Sequence, residues 1–445
     1  METEKIKFGE KLGYGVGDLA SNFIWTAAGM FLTFFYTDIV GNSAAAVGTL
    51  LLVARVFDAF IDIGVGAIVD KTKSKHGKAR PWLLWLAIPF GISGVLLFSA
   101  PNLGSVGTLI YAYATYLLVN IIYSAVNVPY GVLNSMITQD SYQRSLLNIF
   151  RTLCAMIGTL LVSTMTLPLV DSFGGGKSGW FGTFVVYGSI ATVLFLITFR
   201  STKERVKPSV VQKDIPFKRG FKALFRNKYW IMIALFILVS NISVAVGNAV
   251  GIFYAQYILH NKDLVGLLGI ISIVPLLIGL LFVAPIIKKF GKRNSAISGL
   301  IISALGSITL MTDPTNLTIL IIASIIKSIG AVPIAASSFA MLADTIEYGE
   351  WKTGMRSEGL VYSAGSFGAK AGSGIGAAIV GWLLALGGYV GGQETISAAA
   401  TNAIQFMYVY LPIILTLVLL VTLIPYKLDK EYPQIVEDLN NAKKV

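Results

Sequence analysis

Hydrophobic residues run along this chain in long blocks separated by short polar stretches. Twelve blocks can be drawn, at 11–36, 43–69, 80–100, 106–137, 147–170, 180–199, 229–259, 264–287, 295–312, 316–343, 359–388 and 402–425. About twenty apolar residues in a helix cross roughly 30 Å of hydrocarbon, so each block predicts a membrane-spanning helix. The first block has no small-residue cleavage site and is longer than a secretory h-region, which reads as a retained span. The longest polar interruption, 200–228, contains ten basic residues with Pro208 and Pro216, and it divides the blocks six and six. The expected organisation is an all-α membrane protein: a six-helix bundle over 1–199, a central loop over 200–228, a second six-helix bundle over 229–425 and a tail over 426–445.

Each half carries a related basic turn after its second block. The first runs from Asp70 to Pro81 through Gly77-Lys78-Ala79-Arg80, and the second from Lys288 to Asn294 through Gly291-Lys292-Arg293. Gly77 and Gly291 lie 214 residues apart. Two six-helix halves with a basic turn between helices two and three match the major facilitator architecture, in which the halves rock about a central cavity.

Composition agrees with the blocks: 55% of 445 residues are hydrophobic and only 13% charged, too few charges to clothe a soluble protein of this size. The net charge of +12 has a topological origin. With the spans alternating and both termini on one side, 29 of the 35 Lys and Arg fall on that side, and only Lys177 and Lys262 on the other. The positive-inside rule then places both termini in the cytoplasm of a cell-membrane protein. The charge needs no nucleic acid to explain it, and anionic lipid is at most a minor partner. The single cysteine, Cys154, precludes an intrachain disulfide.

Polar groups inside the blocks carry the candidate chemistry. Asp58 and Asp62 lie i, i+4 on one helix face with Arg55 a turn before them. An ionised Asp at a membrane helix centre costs about 2.5–3.5 kcal/mol on insertion scales, so two together suggest a cation site. The alternative is a structural salt bridge. Lys370, about twelve residues from the nearer end of its block, needs a counter-ion, and Asp58 or Asp62 supplies one. Asp18 and Asn22 share a face of the first helix, and Tyr123, Ser124, Asn127 and Tyr130 form a polar strip around Pro129 on the fourth. Amide, carboxylate and aromatic groups of this kind suit a polyol ring, though such strips also arise from helix packing. Arg151 either clamps substrate or pairs with a neighbouring acid, and Lys327 reads as snorkelling or structurally paired. His76 and His260 fall outside the spans, which leaves a histidine proton relay unsupported.

The runs Lys11-Leu12-Gly13-Tyr14-Gly15, Tyr36-Thr37-Asp38, Leu52 to Ala59, Gly77 to Trp82, Ala343 to Glu350, Arg356-Ser357-Glu358 and the segment ending at Lys370 resemble, in order, the melibiose permease family. These are the glycoside–pentoside–hexuronide:cation symporters. The resemblance covers essentially the whole chain and implies a twelve-helix sugar:cation symporter. It implies cation binding at Asp58 and Asp62, with Ser124 beside them on helix four, an arginine near the sugar pocket at Arg151, and Lys370 linking the two sites; the residues themselves add Asp18, Asn22, Tyr123, Asn127 and Tyr130 as sugar contacts. It further implies a cytoplasmic charge network of Arg144, Asp344, Glu347, Glu350, Arg356 and Glu358 that bridges the halves in the outward-open state.

The departures bear on substrate and ion. The two galactoside-binding acids of melibiose permease correspond to Asn22 and Asn127, and its neighbouring tryptophan to Gly131, so the galactosyl site is not preserved. The pattern of Asp18 with Asn22 is closer to family members that move xylosides or glucuronides. A family asparagine between the two acids is Ile61, and a threonine on helix four is Ser124. The lost oxygen ligand disfavours Na⁺, which needs several, and favours H⁺ as the coupling ion. No cofactor is expected, no metal beyond Na⁺ at that same site, and no phosphotransferase-type domain after the last helix. A lipid flippase or a non-transporting membrane sensor is the alternative on the same fold. An enzyme is not expected, because no activated nucleophile, metal-ligand cluster or phosphate loop is present.

Overall fold

A computed structural model describes residues 6–206, 224–354 and 358–442, and among them the chain is helical with no strand. Twelve helices are long and apolar enough to cross a membrane. The first six are α1 (Phe8–Phe34, continued by a π turn Phe35–Ile39), α2 (Ala44–Lys71), α3 (Arg80–Leu97), α4 (Gly104–Ile137), α5 (Ser141–Ser172) and α6 (Gly176–Ser201). The last six are α7 (Lys228–Tyr257), α8 (Leu264–Phe290), α9 (Lys292–Thr312), α10 (Leu317–Thr353), α11 (Glu358–Leu386) and α12, which runs Ala398–Gln405 and Leu411–Leu423 around a π turn at Phe406–Tyr410. A thirteenth, α13 (Leu428–Ala442), follows.

Several helices run well past their hydrophobic blocks. Hydropathy marks the part in hydrocarbon, whereas hydrogen bonding carries the helix on into water until a cap stops it. Thus α5 starts at Ser141, where the Asp140 side chain accepts from Gln143 N, and α10 continues to Thr353, where Gly354 takes a left-handed φ of +67°.

Within the first half α1 packs on α5 and α6, and α3 on α4 and α6; within the second, α7 packs on α11 and α9 on α10. The halves meet mainly where α2 lies along α11 and α5 along α8. Small residues permit the closest approach. A Cβ at Gly381 would sit 2.7 Å from Gly48 Cα, so only glycine fits between these backbones.

At the end of the bundle where the chain begins and α13 sits, the two halves are held by equivalent clamps. The Glu204 carboxylate, just past α6, accepts from the backbone N–H of Lys78, Ala79 and Arg80 at 2.8–2.9 Å and so caps the start of α3. Arg80 in turn donates to Phe199 O at 2.7 Å. In the second half Asp429, just past α12, accepts from Arg293 N at 2.8 Å near the start of α9, and Arg293 donates to Leu423 O and Ile424 O. Gly77 and Gly291 take φ of +105° and +81°, and a side chain at either would meet the capping carboxylate. The basic turns of the sequence repeat are therefore anchors for the end of the sixth helix of each half.

A carboxylate at a helix N-terminus gains from the macrodipole as well as from its hydrogen bonds. Glu204→Ala is expected to cost about 1.5–3 kcal/mol of stability. A thermal unfolding scan in detergent should show the midpoint lowered by several degrees, with Glu204→Gln intermediate. An unchanged midpoint in Glu204→Ala would show that the clamp is not stabilising.

The opposite, far end is bolted across the halves chiefly by the Asp38 carboxylate, with a more exposed pair beside it, Asp171 of α5 and Lys262 at 2.8 Å. The π turn that ends α1 aims Asp38 at the second half. Asp38 Oδ1 accepts from Tyr257 OH at 2.7 Å, Tyr389 OH at 2.6 Å and Gly392 N at 3.3 Å, while Thr37 holds Oδ2 at 2.6 Å. Burial, then the neighbouring Asp38 charge, raises the Tyr389 phenol far above its usual pKa, so it remains a hydroxyl donor. Beneath the bolt, Phe34 of the first half packs edge-on to Phe253 of the second, and Phe253 to Tyr389, so aromatic rings pack across the halves here.

Candidate functional site

Polar groups inside the bundle gather in two clusters, one across the halves and one within the first half. The first is the acid pair. On α2 Asp58 is fully buried, and the Asp62 side chain, one turn on, is 29% exposed. Lys370 reaches from α11 of the other half and bridges them: Nζ donates to Asp62 Oδ2 and lies 2.9 Å from Asp58 Oδ2. Ser124 on α4 donates to Asp58 Oδ1 at 2.7 Å. Asp58 Oδ2 receives no well-directed hydrogen bond from any described residue, so its remaining valence is met by charge alone. Gly374, one turn beyond Lys370, lets α11 approach α2 here, since a Cβ would come within 2.6 Å of Arg55 Cβ.

The arrangement stores a conflict. A buried pair that loses one partner leaves an uncompensated charge costing about 3–5 kcal/mol. Lys370 thus balances the acid pair from the opposite half. Ile61 between the acids adds no oxygen ligand.

The second cluster lies on α1, α4 and α5. Arg151 Nε donates to Asp18 Oδ2 at 2.6 Å and Nη2 to Oδ1 at 3.3 Å, a near-bidentate pair with the arginine side chain 30% exposed. Asn127 Oδ1 lies 3.5 Å from the same guanidinium. Asn22 Nδ2 donates to Asp18 O, and its Oδ1 accepts from Thr26 and, at 3.4 Å, from Thr159. Of the two readings of Arg151, the structure shows the pair with a neighbouring acid, and the exposed part of its guanidinium leaves donors for a ligand.

The aromatic residues separate. Tyr130 is fully buried: its hydroxyl donates to Tyr14 O at 2.5 Å, its ring stacks on Tyr14, and Arg151 lies over it at 4.8 Å. It supports the arginine from behind. Tyr123 is only partly buried and stacks on Trp25, centroids 3.8 Å apart and planes at 6°. The Arg55 guanidinium also lies over the Trp25 ring, at 3.9 Å. Trp25 was not legible as a site residue from its apolar surroundings, yet it extends the Asp18, Asn22 face of α1 by three residues, and that periodicity is the signal that finds it.

Within the expected charge network, Arg144 and Asp344 are not joined to one another in this conformation. Arg144 donates to Thr138 O and Ser135 O of its own half, and Asp344 is paired with Lys292 of the other at 2.6 Å. Glu347 and Glu350, both on α10, each have a partner, and Arg356 and the Glu358 side chain lie outside the described residues. Lys327 has its ammonium over the Tyr408 ring at 5.6 Å, within the second half, and no ion pair to a described carboxylate. A side chain at Gly131 would enter open space.

Comparison with known proteins agrees with this arrangement. Residues 13–430 match the family described as MFS/sugar transport protein. An isoprimeverose transporter of Lactiplantibacillus pentosus is 36% identical, over 98% of this chain and 91% of its own length. A putative glycoside/cation symporter of Escherichia coli strain K12, YagG, is 33% identical, over 94% of this chain and 92% of its own. Among solved structures, the D323A mutant of the nucleoside transporter NupG superposes with a TM-score of 0.66 at 14% identity, covering 93% of this chain and 99% of that one, a likeness of fold alone. With its twelve helices and its charged groups gathered between two halves, the chain belongs to the MFS/sugar transport protein family, the glycoside–pentoside–hexuronide carriers, and is a multi-pass membrane transporter of sugars rather than an enzyme.

Proposed function

We propose that this protein is a glycoside:cation symporter of the cell membrane, with both termini cytoplasmic and H⁺ as the coupling ion. One observation carries the reading: Lys370 of the second half neutralises Asp58 and Asp62 of the first. A proton on the acid pair replaces the lysine's charge, and sugar binding can then proceed between halves that are free to rock. On this orientation the Asp38 bolt would close the outer end, and the unjoined Arg144 and Asp344 support reading the conformation as inward-facing.

The choice of proton over Na⁺ rests on ligand count. Ser124 occupies Asp58 Oδ1, and Ile61 contributes no oxygen, whereas a hard cation takes several. The sugar pocket would be built on Asp18, Arg151, Asn22, Asn127 and Tyr123, with open space at Gly131 for a second sugar unit or aglycone. A xyloside or glucuronide suits this set, and the name of the isoprimeverose transporter points to a glycoside.

Reconstituted protein should be offered labelled xylosides, glucuronides, melibiose and lactose, each under a proton gradient alone and a Na⁺ gradient alone. The reading requires concentrative uptake of a xyloside or glucuronide driven by the proton gradient. Accumulation under Na⁺ only would replace the ion, and movement of labelled lipid without any sugar would replace the function.

A further inference from the structure

Arg55 presents an anomaly beside the acid pair. Its side chain is only 10% exposed, and the fully buried Asp58 lies one helical turn away, within easy reach at i, i+3. A buried arginine so placed ordinarily closes on the carboxylate with two parallel N–H···O bonds. Here the nearest approach, Nη1 to Asp58 Oδ2, is 3.9 Å, while Oδ2 itself lacks a directed hydrogen bond. The guanidinium lies over Trp25, its carbon 3.9 Å from the ring centroid, and Trp25 is backed by Tyr123, stacked at 3.8 Å. The arginine is drawn off its natural partner by an aromatic platform that is itself braced.

We propose that Trp25 is a positioning residue that parks Arg55 away from Asp58, so that the coupling cation and Lys370, rather than Arg55, compete for the acid pair. The inference rests on the symport reading and assigns its ion affinity to a residue that touches neither ion nor, of necessity, sugar. The chemistry explains why parking is needed. Arginine keeps its charge at all accessible pH and binds carboxylate through a rigid fork, whereas lysine is a single charge on a flexible stem. Lys370 belongs to the other half and can leave as the halves rock. Arg55 shares a helix with Asp58, so it would follow the acid through every conformation and hold it ionised against protonation. Cation–π attraction over a desolvated Trp is the counterweight available.

The test measures cation half-saturation and sugar half-saturation separately in proteoliposomes, for wild type, Trp25→Phe, Trp25→Ala, Arg55→Gln and the double variant Trp25→Ala/Arg55→Gln. In Trp25→Ala the cation half-saturation should rise about five- to thirtyfold, the range that cation–π contacts of ordinary to desolvated strength convert to. The sugar half-saturation at saturating cation should shift less, Trp25→Phe should fall between, and the double variant should match Arg55→Gln. If Trp25→Ala does not fold, Trp25→Phe against wild type carries the comparison. Equal cation half-saturation in wild type and both Trp25 variants, or a double variant as impaired as Trp25→Ala, would overturn the proposal. So would a shift confined to sugar, which would make Trp25 a sugar contact. Wild-type transport with no cation dependence would instead overturn the symport reading itself, a separate and recognisable failure.

Discussion

Asp58→Asn is expected to abolish gradient-driven accumulation while leaving exchange of sugar across the membrane. Asp58 is fully buried and is the acid engaged by Ser124 and approached by both Arg55 and Lys370. Its amide cannot take the coupling proton, so sugar can only equilibrate. Lys370 keeps Asp62 as partner, which spares the fold the cost of an unpaired buried ammonium. Asp62→Asn should do less damage, because the Asp62 side chain is 29% exposed and water can share its role. Uphill uptake by vesicles, set against counterflow in the same vesicles, separates the two activities. A steady-state accumulation ratio reduced to one with counterflow retained is the expected result; uphill uptake at the wild-type ratio would remove Asp58 from the coupling step.

The second large effect concerns the far-end bolt. Removing Asp38 deprives two tyrosine hydroxyls and the Gly392 N–H of their shared acceptor and releases α1 from the second half. Hydrogen bonds to a charged group are worth about 1.5–3 kcal/mol each, so Asp38→Ala should shift the population toward far-end opening by at least about tenfold. Ala249 is buried on α7, one turn below Phe253, and the chain has a single native cysteine. An Ala249→Cys reporter in a Cys154→Ser background can therefore be labelled with an impermeant maleimide from the far side. Labelling should accelerate about tenfold in Asp38→Ala, and less in Tyr389→Phe, which loses one donor of three. Equal labelling rates with and without Asp38 would mean that the remaining contacts, the aromatic packing and the Asp171–Lys262 pair, close this end.

Much of this was legible in the chain because the bilayer imposes a strong grammar. Hydropathy located all twelve helices, and charge in apolar blocks marked Asp58, Asp62 and Lys370, which meet across the halves, and Asp18 and Arg151, which pair within the first. Helix ends were less legible, since α5 and α10 extend beyond hydrocarbon on caps rather than on hydrophobicity. The basic turns announced a repeat, but the acids that complete it, Glu204 and Asp429, sit at unlike distances in sequence and only meet their turns in three dimensions. Tyr130 looked like a pocket residue because a strip of polar aromatics does not reveal which ring is committed to backbone. The roles of Asp38 and Trp25 were not legible, for different reasons. Asp38 stands in a motif at a helix end, where nothing in the sequence shows what it reaches, and a tryptophan in an apolar helix looks like packing until its neighbours are known.

The most direct test of coupling through the acid pair is to watch protons as sugar enters. Proteoliposomes in weak buffer are given a transported glycoside with no imposed gradient, and external pH is followed alongside labelled sugar. The account predicts external alkalinisation in step with sugar entry for the wild type, and none for Asp58→Asn under the same conditions. Sugar entry through the wild-type carrier with no accompanying proton movement would contradict it.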